Sequence, residues 1–124
     1  MDNEEILKKV KNSLELAKSK LNKVSNEIDK PRIDYIEKEL WQIAEELEYS
    51  ASLISITFGL RDYYPEFNDP QKMTLGEIMK DIGNNLDRIE KVLDSDPKEC
   101  YNIIRSAIHK TRVIQSNLKN YFQD

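Results

Sequence analysis

The chain has 124 residues, 39% hydrophobic and 34% charged, with three Gly, four Pro and one Cys. That size and apolar content fit one folded domain over residues 1–124, able to bury a core without cross-links. A net charge of −4 argues against wholesale binding of nucleic acid or membrane, and one cysteine excludes an internal disulfide.

The start, "MDNEEILKKVKNS", has no apolar stretch of the kind a signal peptide needs. The longest uncharged run, Tyr49 to Leu60, is too short to span a bilayer. The expectation is a protein of the reducing cytoplasm with no membrane segment.

The first segment repeats apolar residues at alternating spacings of three and four: Leu7, Val10, Leu14, Ala17, Leu21, Val24, Ile28. This is the a/d seam of a bundle helix, predicted over about 3–29. Asp2 and Glu5 have capping-box spacing at its start. Pro31 ends it and opens a second helix over about 32–58, with the seam Ile33, Ile36, Leu40, Ile43, Leu47, Ile54. Trp41, Ala44, Ala51 and Phe58 widen its apolar surface. Gly59 is placed to end it in the left-handed conformation.

A longer connection, "LRDYYPEFNDPQKM", follows. Thr74 and Glu77 then form a capping box, with Met73 and Ile78 as a hydrophobic staple, opening a third helix over about 74–94. Its seam is Leu75, Ile78, Ile82, Leu86, Ile89, Leu93, and Gly76 and Gly83 weaken it locally. Asp96 caps the fourth helix, predicted over about 97–122, and Pro97 takes its first position. The fourth seam is Cys100, Ile104, Ala107, Thr111, Ile114, Leu118, Tyr121. Four amphipathic helices with no strand pattern predict an all-α, up-down-up-down antiparallel four-helix bundle. In that order the first and last helices are neighbours, as are the second and third.

Few residues offer chemistry. One His and one Cys cannot build a zinc site or a di-iron centre, so neither metal nor cofactor is expected. Cys100 on the seam reads as a small packing residue. Glu45 and Glu48 lie off the seam and read as a solvated acidic face. No phosphate-binding loop or nucleophile motif appears.

The fourth helix carries a row at helical spacing: Lys98, Asn102, Arg105, His109, Arg112, Ser116, Lys119. The row lies about 160° from the seam at 100° per residue, so it points outward. It is a candidate binding stripe for acidic groups. Bases outnumber acids in 1–31 and 97–124, whereas acids outnumber bases in 32–60 and 74–96. In the expected helix order this gives a basic side and an acidic side. The stretch "RSAIH" resembles the Arg and His pair of HEPN-type helical ribonucleases, with three residues between Arg105 and His109 and without the Asn that often follows the Arg. The resemblance implies a metal-independent ribonuclease or RNA-binding bundle using those two residues.

The second helix offers a different surface. Its uncharged second half leaves Leu53, Ile56 and Leu60 needing cover from the loop aromatics Tyr63, Tyr64 and Phe67 or from a second chain. The expected function is a non-enzymatic interaction module for a protein partner. Self-association as a homodimer is expected through Leu53, Ile56 and Phe58. Tyr63, Tyr64 and Phe67 join the helix-four row as candidate binding residues. Nucleic acid is the less favoured partner.

Overall fold

The computed structural model describes residues 3–27, 32–65 and 74–121, all of them helix, turn or coil. Four long helices, α1 (Asn3–Glu27), α2 (Ile33–Phe58), α3 (Leu75–Val92) and α4 (Pro97–Ser116), pack against one another, and a short α5 (Leu118–Tyr121) follows. The fourth helix is not continuous to residue 122. At Asn117 the side-chain Nδ2 donates to the Val113 carbonyl, and the Asn117 N–H donates to the carbonyls of Val113 and Ile114. An asparagine that bonds the preceding turn in this way competes with continued helix.

The caps follow the local chemistry. Thr74 Oγ1 accepts from the Glu77 N–H, and the Glu77 carboxylate accepts from the Thr74 N–H. Asp96 Oδ1 accepts from the Glu99 N–H, with Pro97 in the first turn. Gly59 ends α2 at φ 68, a left-handed conformation that costs glycine little, and its N–H donates to the Ser55 carbonyl. Asp2, Ile28 and Met73 lie outside the described residues.

The seams meet in one core. Val10, Leu14, Leu40, Ile43, Leu47, Ile82, Leu86, Ile104 and Ile114 are among its fully buried members. Leu7 and Ile33 pack against it partly buried. Met79, Ile103 and Ile108 join it from positions beside the seams. Cys100 and Thr111 are buried within α4, and Thr111 Oγ1 donates to the Ala107 carbonyl, which satisfies its hydroxyl.

The helix order differs from the expected one. α1 packs on α2 and α3, and α4 packs on α2 and α3. Cross-helix contacts give the directions. Ser13 Oγ donates to Glu46 while Lys20 reaches Gln42 and Glu39, so α1 and α2 are antiparallel. Lys11 meets Asp94 and Lys18 meets Asp87, so α1 and α3 are antiparallel. Arg88 meets Glu99 and Lys110 meets Asp81, so α3 and α4 are antiparallel. Arg105 meets Glu48 while Arg112 also reaches Glu45, which sets α4 against α2 in the same sense. Around the ring the order is therefore α1, α2, α4, α3, and α2 and α3 run the same way. The up-down-up-down order, which would set α2 beside α3, is corrected accordingly. The connection between α2 and α3 joins opposite ends of the bundle, a span of about 27 Å for a helix the length of α3. Residues 59–74 can cover that distance, since an extended chain reaches about 3.3 Å per residue.

Gly83 gives a test of this packing. A methyl group there would meet only the Leu21 side chain, at 3.7 Å. Glycine inside a helix costs about 0.5–1 kcal/mol relative to alanine. Gly83→Ala is expected to stabilise the protein by about that amount, read as a higher urea midpoint with an unchanged slope.

Candidate functional site

The row on α4 does not form an open stripe of cations. Arg105 Nη1 donates to Glu48 Oε2 at 2.9 Å. Arg112 Nη2 lies 3.4 Å from Glu48 Oε1 and 3.8 Å from Glu45 Oε1. Arg105 and Arg112 stand on the flank of α4 that meets α2. The residues read as a wet acidic face, Glu45 and Glu48, are their counter-ions. Lys98 holds its ammonium over the Tyr63 ring, 4.5 Å from the centroid. His109 and Asn102 are partly buried, while Ser116 and Lys119 are exposed. The row thus divides into an ion-paired middle and ends that do other things.

The expected basic and acidic sides are also corrected. With α4 beside α2 and α3, and α1 beside the same two, each basic helix lies between two acidic ones. Among the described residues, nearly all the cross-helix ion pairs join a cation of α1 or α4 to an acid of α2 or of the segment 74–96. The pair Arg88–Glu99 runs the other way. Charge is balanced locally at each interface rather than separated across the molecule.

The loop aromatics split in a similar way. Tyr63 packs on Tyr101 of α4, with ring centroids 6.2 Å apart at 53°. It borders a groove of about 290 Å³ between α3 and α4, together with Pro65, Arg88, Glu99 and Asn102. Tyr63 therefore lies against α4 and is not a lid over α2. Tyr64 is 82% exposed. Phe67 lies outside the described residues.

What remains is the outer face of the second half of α2. Leu53, Phe58 and Leu60 are partly buried against the core and are covered by this chain's own packing. Ile56 is 81% exposed and Tyr49 47%. These two residues are seven apart, two turns along one face, with the exposed Ser52 between them. No charge lies between Glu48 and Arg61. Ile56 also lines a shallow groove of about 190 Å³ toward α4, with Ser52, Ser55, Tyr101 and Arg105. Tyr49 was absent from the sequence-derived candidates, although its spacing of seven from Ile56 was the signal that marks it.

No group of three His, Cys, Asp or Glu among the described residues is placed to hold a metal ion. Among the described residues, no helix is long and apolar enough to cross a membrane. Burial pushes the Cys100 thiol up to about 12, helped by the nearby charges of Asp94 and Asp96. Such a thiol is a packing residue rather than a nucleophile at neutral pH. For Lys18, burial lowers the pKa, but hydrogen bonds and charge from Glu90 and Asp87 outweigh it, and the value ends above 10.5. The chain matches no family model, no curated protein and no solved structure.

Two measurements check this electrostatic picture. Glu48→Gln removes an acceptor shared by both arginines. Because these pairs are partly exposed, the expected loss is about 0.5–1 kcal/mol at low salt, shrinking toward zero in about 1 M salt. Alkaline pH should also destabilise the fold. The Lys18 contribution is fully present below pH 10.5 and is lost as pH rises through its raised folded value. Cys100 adds to the loss above pH 9.0, where the unfolded thiol ionises and the folded one does not. Urea midpoints between pH 8 and pH 11 are expected to fall, and Lys18→Met should flatten the part of the decline above pH 10.5.

Proposed function

We propose that the chain is a non-enzymatic helical interaction module that binds a protein partner through the uncharged outer face of α2. The observation that supports this reading most directly is the 81% exposure of Ile56. A large aliphatic side chain in water forgoes about 1.5–3 kcal/mol of burial, which a partner would recover. Tyr49 extends the face by two turns, and Tyr101 borders it at the groove. Tyrosine contributes contact area at small entropic cost and is enriched in protein interfaces. A chain with one buried cysteine and no disulfide fits a cytoplasmic setting.

The ribonuclease alternative asks Arg105 to stabilise a developing phosphate charge and His109 to move a proton. Glu48 already occupies the Arg105 guanidinium. No observation favours that alternative over the binding face.

The reading is tested by placing a photo-reactive residue at position 56 of the full chain in its source cells, with Asn84, exposed on α3, as the control position. A protein adduct at 56 that is absent at 84 and lost on Tyr49→Asp is the expected result. Equal yields at both positions would remove the face from consideration. A parallel assay of single-stranded RNA cleavage is expected to show none. Cleavage that disappears on His109→Ala would replace the module with the ribonuclease.

A further inference from the structure

We draw no further inference here: the strongest candidate, the groove between α3 and α4 lined by Tyr63, Asn85, Asn102 and Ser106, carries nothing, because Asn102 Oδ1, which lacks a hydrogen-bond partner, is sealed from solvent and so from any ligand, and nothing else in the structure shows what fills it.

Discussion

The arrangement of this molecule depends on the alternation of charge around the helix ring. α2 and α3 are acidic, α1 and α4 are basic, and each acidic helix has two basic neighbours. Single surface ion pairs contribute little stability, about 0–1 kcal/mol each. Their effect here is on choice of neighbour. The core seams of α2 and α3 are both built of Ile and Leu, so hydrophobic burial alone does not distinguish one helix order from another. An order that set α2 against α3 would place acids beside acids along the interface and strand the arginines of α4. The long connection after α2 makes the alternative order reachable, and the ion pairs favour it.

That choice explains why the conspicuous basic row is structural. Arg105 and Arg112 face α2 because α4 lies beside α2, and Glu45 and Glu48 are there to meet them. The same interface brings Tyr101 next to the end of α2, and Tyr63 docks on it with Lys98 on its other ring contact. Of the three loop aromatics expected to shield α2, Tyr63 is used on α4 instead. Ile56, on the outer face of α2, is 81% exposed.

Polar groups inside the bundle fix the register of the helices. Ser13, buried on α1, has the carbonyl and the carboxylate of Glu46 on α2 both in reach of its single hydroxyl proton. A slide by one helical turn would remove both acceptors and leave a buried hydroxyl unsatisfied, at a cost of about 1–3 kcal/mol. Lys20 with Gln42, and Lys110 with Asn85 and Asp81, add similar constraints from partly exposed positions. The height of α2 relative to α4 is set by Arg105 and Arg112 on Glu48 and Glu45, and Ile56 lines the groove beside Tyr101.

The helices, the caps at Thr74, Asp96 and Gly59, and most of the core were determined by sequence alone, because each rests on interactions within a few residues. The alternating seam marked Leu14, Leu40, Ile82 and Ile104 as core, and the Thr74–Glu77 and Asp96–Pro97 signals marked two helix starts. Gly59 marked a stop for the same local reason. The break at Asn117 was also local, but weaker than the continuing seam through Leu118. Only the tertiary structure decided which helices touch. Neighbour order depends on pairings such as Glu48 with Arg105, which lie far apart in the chain, and helical periodicity says nothing about them. The same holds for exposure: Leu53, Ile56 and Phe58 look alike in a helical pattern, and packing against the rest of the bundle covers two of them and leaves Ile56 in water.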